Sequence, residues 1–184
     1  GKDSRVSHLR LEEVAVRGQG NVGGLVGRAY GVVRNGNPVG PSIREVHLSG
    51  QVRGRFNTGG MVGDNAASIL RSSTAGSVAP LASVFSAVHG GVVAFQRTGT
   101  LLKDSFTTAS VTGDGDVGGV VGYNRGSIVN TFSTGQVSGE TRTGAIVGDQ
   151  EGTVTNSFGR NASGAFTQST YGTKSGGTWT GFDF

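Results

Sequence analysis

Apolar residues recur along this chain in short clusters that small residues enclose. One phrase, in which glycine or alanine flanks two apolar residues, occurs five times and begins at positions 23, 59, 90, 118 and 144. These starting positions differ by 36, 31, 28 and 26 residues, which is a period typical of solenoids and propellers. The copies of this glycine phrase are Gly23–Gly27, Gly59–Gly63, Gly90–Ala94, Gly118–Gly122 and Gly144–Gly148.

Two further short segments accompany the glycine phrase, and both read as strands. They are four to seven residues long, rich in valine, isoleucine, phenylalanine and threonine, and bounded by glycine, asparagine or aspartate. No stretch shows a sustained apolar period of 3.6, so we expect very little helix. The first segment is Gly50–Gly54, Ala109–Gly113 and Gly135–Gly139, with a degraded copy at Gly76–Ala79; the second is Leu101–Thr107, Ser127–Ser133 and Thr153–Gly159.

Equal spacing of like residues predicts the register in which these strands stack. Phe106, Phe132 and Phe158 follow one another at steps of 26 residues, and the valines at 52, 78, 111 and 137 recur in the same frame. Strands stacked about 4.8 Å apart place like side chains over like, so we expect an interior of valine and phenylalanine ladders. The sequence therefore predicts an all-β fold, a β-solenoid (β-helix) of about five coils.

All three prolines lie in the longer intervals between copies. Pro38 and Pro41 fall within residues 35–42, and Pro80 follows Val78. Since proline cannot donate a hydrogen bond to a sheet, these positions predict excursions from the coil. Loops on a rigid scaffold often carry binding functions, so Arg34 to Ser42 and Ala79 to His89, together with the lateral faces, are the candidate binding regions.

Composition narrows the classes of partner. The 35 glycines follow no three-residue period, which excludes collagen, and we assign them to corners that need positive φ or close backbone approach. The net charge of +4 comes from singly scattered arginines and lysines, which argues against a nucleic-acid partner. No run of about 18 apolar residues is present, so we expect no membrane insertion. The absence of cysteine excludes disulfides and thiolate metal sites.

The sequence offers no catalytic, cofactor or metal constellation. His8, His47 and His89 stand far apart and lack the paired spacing of a zinc protease, and His47 aligns with the position of Phe132 as a structural residue. Gly18–Gly23 and Gly113–Gly118 match a nucleotide-loop pattern, but no helix follows either, so both read as the same corner of the repeat.

We interpret the isolated polar motifs as structural or coincidental. Asp114 and Asp116 read as turn formers, and Asp64, Asp104 and Asp149 are single in the sequence, although folding could assemble a cluster. Asn161–Ser163 matches a glycosylation acceptor that we take as coincidence. Four threonine pairs fall at different repeat phases, which argues against an ice-binding face: 98 and 100, 141 and 143, 153 and 155, and 178 and 180.

We divide the chain into repeats over residues 1–165 and an aromatic C-terminal cap or junction over 166–184, which contains Tyr171, Trp179, Phe182 and Phe184. Leu9–Gly18 already reads as a coil, with no cap before it. We therefore expect the chain to be a fragment of a longer parent protein that continues at the N-terminus.

Residues 118–139, GGVVGYNRGSIVNTFSTGQVSG, are the clearest copy of the whole repeat. This unit resembles the GLUG repeat, and the resemblance covers roughly residues 9 to 165. The third copy departs from it, because Ala94 replaces the closing glycine and Pro80 to Val88 fits poorly. The GLUG family occurs in secreted and surface proteins of bacteria, including filamentous haemagglutinin-like adhesins and the N-terminal regions of immunoglobulin A1 metalloproteases.

The resemblance implies a β-solenoid in an extracellular or cell-surface bacterial protein, and it carries over no catalytic residues. We therefore expect a non-catalytic adhesin or stalk module associated with virulence, whose partner is a surface glycan or protein. The alternatives are a substrate-positioning accessory region of a secreted metalloprotease and, third, a polysaccharide-active β-helix enzyme.

Overall fold

The computed structural model describes residues 4–34, 37–160, 166–167, 171–174 and 178–180. Every regular element in these residues is a β-strand, so the predicted all-β class is confirmed and no helix occurs in this part of the chain. Most strands are short because glycine or a polar corner residue interrupts the chain every few residues.

The strands are numbered in chain order. The first nine are β1 (Arg5–Gly18), β2 (Val22–Gly23), β3 (Val26–Ala29), β4 (Val32–Arg34), β5 (Asn37–Val39), β6 (Ser42–Gly54), β7 (Asn57–Gly59), β8 (Val62–Asn65) and β9 (Ser68–Leu70). The next nine are β10 (Ser73–Pro80), β11 (Val88–Gly90), β12 (Val93–Gln96), β13 (Leu101–Lys103), β14 (Phe106–Thr107), β15 (Ser110–Gly113), β16 (Asp116–Gly118), β17 (Val121–Asn124) and β18 (Ser127–Val129). The last nine are β19 (Phe132–Ser133), β20 (Val137–Gly139), β21 (Arg142–Gly144), β22 (Val147–Gln150), β23 (Thr153–Thr155), β24 (Phe158–Arg160), β25 (Phe166–Thr167), β26 (Tyr171–Lys174) and β27 (Thr178–Thr180).

Three sheets contain nearly all of these strands. Sheet A has 14 strands, sheet B has the order β2-β7-β11-β16-β21, and sheet C has the order β3-β8-β12-β17-β22-β26. Pairing within them is parallel except between β24 and β25, and β4 with β5 forms a separate antiparallel hairpin. In sheets B and C the strands follow one another in chain order, so each strand pairs with the corresponding strand of the next repeat.

The glycine phrase is aligned across sheet B. Gly23, Gly59, Gly90, Gly118 and Gly144 lie opposite one another in successive strands, which confirms the predicted register. Close backbone approach is the reason for glycine here: a Cβ added to Gly118 would overlap the carbonyl oxygen of Val121. The same overlap with a carbonyl oxygen recurs at Gly23, Gly59 and Gly90, so the corner between sheets B and C has no room for a side chain there.

The core lies between the faces of the sheets. The third residue of each of the later glycine phrases is fully buried, as Met61, Val92, Val120 and Ile146, and packs in one cluster with aliphatic residues of sheet A. The predicted valine column is confirmed as well. Val52, Val78, Val111 and Val137 lie opposite one another, and the first three are buried.

The phenylalanine column has the predicted register but lies on the outside. Phe106, Phe132 and Phe158 occupy matched positions, and the rings of the first two stack with centroids 4.9 Å apart. Phe132 is 41% exposed, so the expectation of a phenylalanine ladder in the interior is wrong. Since neighbouring residues of a strand face opposite ways, the residue before each phenylalanine is the buried one. These buried residues are Ser105, Thr131 and Ser157.

The hydroxyl groups of the two buried serines are satisfied by the backbone, and that of Thr131 donates to Ser157. The hydroxyl of Ser157 donates to the carbonyl of Thr155 and accepts the backbone N–H of Thr131. Ser105 makes the equivalent pair of bonds with Lys103 and Ser72. A hydroxyl with both bonds made can be buried at little cost, which leaves the larger ring outside.

A left-handed corner joins two segments of sheet A. Six residues at matched positions have φ between +47° and +54°, a conformation that costs most residues about 1–2 kcal/mol. We call them the corner column. They are His8, Glu45, Arg71, Asp104, Asn130 and Asn156.

The proline excursions are confirmed in one place and shifted in the other. Pro38 lies in the hairpin of β4 and β5, which departs from the three sheets as predicted. Pro80 instead is the last residue of β10 and pairs with Gly54, so the predicted departure at Pro80 is wrong. A strand end tolerates proline because no N–H is needed there to continue the ladder of backbone hydrogen bonds. The excursion from the sheets runs over residues 81–87 instead.

Candidate functional site

The two candidate binding loops differ in how they are held. Residues 34–42 contain the hairpin, of which residues 35 and 36 lie outside the described part of the chain. Residues 79–89 present Phe85, whose side chain is 74% exposed. The carboxylate of Asp114 accepts the backbone N–H of Val84 at 3.1 Å, so this aspartate anchors the second loop besides forming a turn.

The three histidines are not brought together. His8 lies 2.6 Å from Glu45, and His47 is exposed with its Nδ1 2.7 Å from the Ser73 hydroxyl. His89 is completely buried. In the described residues no group of three histidines or carboxylates is close enough to hold a metal ion.

His89 has an unusual environment. Neither ring nitrogen has a hydrogen-bond partner among the described residues, and a Cβ on Gly113 would collide with the ring. Burial lowers the pKa of His89 to about 4, and the charge of Asp114 offsets only part of this effect. The side chain is therefore neutral at physiological pH.

The carboxylates that are single in the sequence acquire arginine partners in the fold. Asp64 is 2% exposed and accepts hydrogen bonds from Arg28 at 2.7 Å and Arg97 at 2.6 Å. Burial raises the pKa of Asp64, but the bonds from Arg97 and Arg28 outweigh it and hold the pKa below its usual value. Pairing in register is the reason, because it places residues about 30 positions apart side by side.

A second carboxylate group surrounds Arg142. Its guanidinium donates to Asp116 and lies 3.5 Å from Asp149, and both carboxylates are almost buried. Burial raises the pKa of Asp116, and the bond from Arg142 lowers it by less, so the net shift is upward. Folding thus assembles an acidic pair on one cation, which the sequence did not reveal.

Arginines and aromatic rings alternate along the outside of sheet C. The guanidinium of Arg97 lies 5.6 Å from the ring of Phe95, and that of Arg125 lies 5.1 Å from the ring of Tyr123. The two rings meet edge to face at 5.0 Å, within the usual range for aromatic pairs. We call this surface the arginine–aromatic strip. It comprises Arg28, Tyr30, Asp64, Phe95, Arg97, Tyr123, Arg125 and Glu151.

The acidic residues of the strip fix its geometry. Glu151 accepts hydrogen bonds from the Tyr123 hydroxyl and from Arg125, the latter at 2.8 Å. The bond from Tyr123 is the main cause that lowers the pKa of Glu151. The strip extends from β3 to β22, which is about 19 Å at the usual spacing of strands.

A groove of about 270 Å³ lies on the outside of sheet A, beside β1. At the edge of this groove, a bulge between Leu11 and Val14 interrupts the pairing of β1 with β6. Glu13, within the bulge, has a φ of +56°. The groove is lined by Arg10, Leu11, Glu12, His47, Leu48, Ser49, Ser73, Ala75 and Phe106. Sequence reasoning missed this groove because its residues come from four different repeats.

The remaining motifs have structural positions. Gly18 pairs with Gly54 and Gly113 with Gly139 at strand ends, with no helix after either in the described residues. Thr143 lies in sheet B, and Thr100 is buried. The threonines at 153, 155, 178 and 180 lie in sheet A. The described threonine pairs therefore do not share one face. Residues 161–165 and 181–184, which include Asn161, Ser163, Phe182 and Phe184, lie outside the described residues; Tyr171 and Trp179 lie in strands.

No family model, no curated protein and no solved structure matches this chain. In the described part of the structure, no helix is long and apolar enough to cross a membrane.

Proposed function

We propose that this chain is a β-solenoid of about five coils built from GLUG-like repeats. Three observations support the proposal: the pairing is almost entirely parallel, strands pair with the matching strand of the next repeat, and the glycine phrase keeps one register through five copies. Each repeat contributes consecutive strands to sheets A, B and C in the same order. These are the features of a chain that winds with one turn per repeat.

As its function, the chain serves as a non-catalytic adhesive or stalk module of an extracellular bacterial protein. The observation that carries this proposal is the continuous outer surface of sheet C, where the arginine–aromatic strip crosses five paired strands. Arginine and aromatic side chains are enriched where protein surfaces bind partners, because both offer large contact area and directional polar groups. Binding to a host or bacterial surface glycan or protein takes place along such lateral faces.

One observation favours a second candidate, a polysaccharide-active enzyme. Asp116 and Asp149 converge on Arg142, and burial raises the pKa of Asp116. Two carboxylates on one site, one of which has a raised pKa, form an arrangement that glycoside hydrolysis uses. If this candidate is correct, the chain depolymerises a polysaccharide and the double change of Asp116 and Asp149 to asparagine abolishes that activity.

The adhesive proposal is tested by binding of the purified chain to panels of glycans and host surface proteins. Two variants accompany it: one in which Phe95 and Tyr123 are changed to alanine, and one that lacks residues 35–41. Saturable binding that the double alanine variant loses would support the lateral face, whereas loss on deletion alone would move the site to the hairpin. If the folded chain binds no member of either panel, the adhesive role is wrong and the stalk role is retained.

A further inference from the structure

A column of side chains on the outside of sheet A contains a serine between positions that carry rings. Six matched positions in successive strands carry Arg10, His47, Ser73, Phe106, Phe132 and Phe158. Rings occupy the positions on both sides of Ser73, whose own side chain is small. The groove described above opens at this position.

The spacing of the column matches the thickness of a ring. Phe106 and Phe132 stack with nearly parallel planes and centroids 4.9 Å apart, so the second face of Phe106 is turned toward the Ser73 strand. His47 and Phe106 are two strand steps apart, which is about 9.6 Å. The imidazole of His47 reaches toward Ser73, since its Nδ1 lies 2.7 Å from the Ser73 hydroxyl. A flat ring in the groove would therefore stack on the free face of Phe106 and meet the edge of the imidazole.

The polar groups around the groove identify what kind of ring fits there. Arg10 and Glu12, which form an exposed ion pair at 2.7 Å, line the groove together with Ser49. A ligand with hydroxyl groups on its edge would find both donors and acceptors at these residues. A phenylalanine side chain of a protein partner has an edge without hydrogen-bonding groups, and those of tyrosine and tryptophan carry one each, so an aromatic side chain would leave most of these polar groups unused.

The charge and size of the groove restrict the ligand further. One cation and one carboxylate line it, so their charges cancel and an anionic ligand gains no net attraction. Its volume of about 270 Å³ is slightly below that of pockets for drug-sized ligands. One ring, with part of a second, is the ligand of matching size.

We infer that this groove binds a neutral pyranose unit of a glycan, packed on the free face of Phe106 beside the edge of His47 and hydrogen-bonded at its own edge by Arg10 and Glu12. The inference rests on the adhesive function proposed above and gives it a second site, separate from the arginine–aromatic strip. The polar edge and apolar faces of a pyranose complement a groove with one aromatic wall and a polar rim.

Filling the groove with a phenylalanine is the sharpest test. Ser73→Phe adds a ring to a column that already accommodates phenylalanine at three positions, so the fold is expected to persist. Ser138→Phe is the matched control, because it adds the same ring at an exposed position away from the groove. The probes are methyl glycosides of neutral hexoses and neutral disaccharides, with a uronic acid and N-acetyltryptophanamide as comparators, and binding is followed by calorimetry and by NMR shifts of the phenylalanine rings.

We expect a neutral glycoside to bind, and Ser73→Phe to weaken its affinity by about tenfold or more while Ser138→Phe leaves it unchanged. A second variant, Phe106→Leu, keeps the apolar volume without the flat ring and is expected to weaken binding as well. Circular dichroism and the melting temperature establish that each variant is folded.

Three results would overturn the inference: no neutral glycoside binds the folded chain, Ser73→Phe binds as well as the parent, or N-acetyltryptophanamide binds the groove while no sugar does. Failure here is distinguishable from failure of the adhesive proposal. Surface binding that persists in Ser73→Phe but disappears when Phe95 and Tyr123 are changed would disprove the groove and retain the adhesin.

Discussion

Residues 104–160 and residues 5–103 build the same left-handed corner with different side chains. The later segment uses Asp104, Asn130 and Asn156, at steps of 26 residues, whereas the earlier one uses His8, Glu45 and Arg71 at uneven steps. Aspartate and asparagine tolerate this conformation better than other residues with a Cβ. We call the two parts the regular segment and the irregular segment.

The irregular segment partly offsets its less suitable corner residues by pairing them. Glu45 accepts hydrogen bonds from Arg71, the longer of which is 2.9 Å, and lies 2.6 Å from His8. These bonds lower the pKa of Glu45, and the bond from Arg71 is the largest cause. The comparison teaches that a column can keep its backbone while its sequence changes, provided that neighbours in the column complement one another.

The same comparison separates structure from proposed function. The hairpin and most of the groove lie in the irregular segment, while the regular segment contributes the stacked phenylalanines. Uneven repeats thus coincide with the positions where the surface departs from simple stacking. Three sets of substitutions probe how far the two segments are equivalent.

The largest effect is expected at the glycine phrase. Gly118→Ala in the regular segment and Gly59→Ala in the irregular one would each place a Cβ against a backbone carbonyl, so we expect each to cost about 4 kcal/mol or more of unfolding free energy. Denaturant unfolding measures this loss of unfolding free energy. Gly20→Ala is the control, because its Cβ would meet no atom within 4 Å. Tolerance of Gly59→Ala alone would show that the corner is looser in the irregular segment.

A smaller effect is expected from His89, whose matched position in the regular segment is Val117. The folded-state pKa of about 4 lies below the ordinary value of 6.5, so the unfolded chain takes up a proton first as the pH falls. The unfolding free energy should therefore decrease between pH 6.5 and pH 4, by up to about 3 kcal/mol, and level off below that range.

Denaturant unfolding at pH 7 and at the acid end of this window checks the prediction, with His89→Val as the comparison. The variant gives the irregular segment the residue type of the regular one and should lose this part of the pH dependence. Equal pH profiles for the two proteins would show that His89 is not the group responsible.

The smallest effect is expected at the corner column. Asn130→Ala retains the left-handed φ without the favourable side chain and removes the 3.0 Å bond to Asp104, so we expect a cost of about 1–2 kcal/mol. Asn130→Gly should be nearly neutral, because glycine adopts this φ freely.

Arg71→Ala is the matching change in the irregular segment. Arginine and alanine both carry a Cβ, so only the exposed pair with Glu45 is lost, and we expect a cost below about 1 kcal/mol that salt reduces further. A larger loss for Arg71→Ala than for Asn130→Ala, measured by thermal unfolding, would reverse the comparison.

Much of the fold could be predicted because equal spacing reveals register. The glycine phrase begins seven residues after the column valine in three of the four repeats that contain both, and both sets of residues align in the structure as predicted. Spacing alone does not tell which side of a strand faces inward. The serine before Phe106 is buried because a neighbouring strand donates a backbone hydrogen bond to it, and that donor is known only once the strands are paired.

The candidate sites were harder to predict for the same reason. Arg10, His47, Ser73 and Phe106 are separated by unequal stretches of chain, so no constant period relates them. Arg97 and Asp64 likewise meet only through the pairing of β8 with β12. The sequence does not reveal where each excursion begins and ends, and those limits decide which residues become neighbours across the strands.

The buried side-chain amides at the last positions of four successive strands of sheet C have a mechanical consequence. Asn65, Gln96, Asn124 and Gln150 lie opposite one another, and the Asn124 side chain donates to that of Gln150 at 3.0 Å. This bond runs across the strands, in the same direction as the backbone bonds of the sheet. A tensile load along that direction is therefore shared between the main-chain ladder and the side chain that bridges the same two strands. This junction therefore resists stretching at more points than the main chains of its two short strands alone would supply.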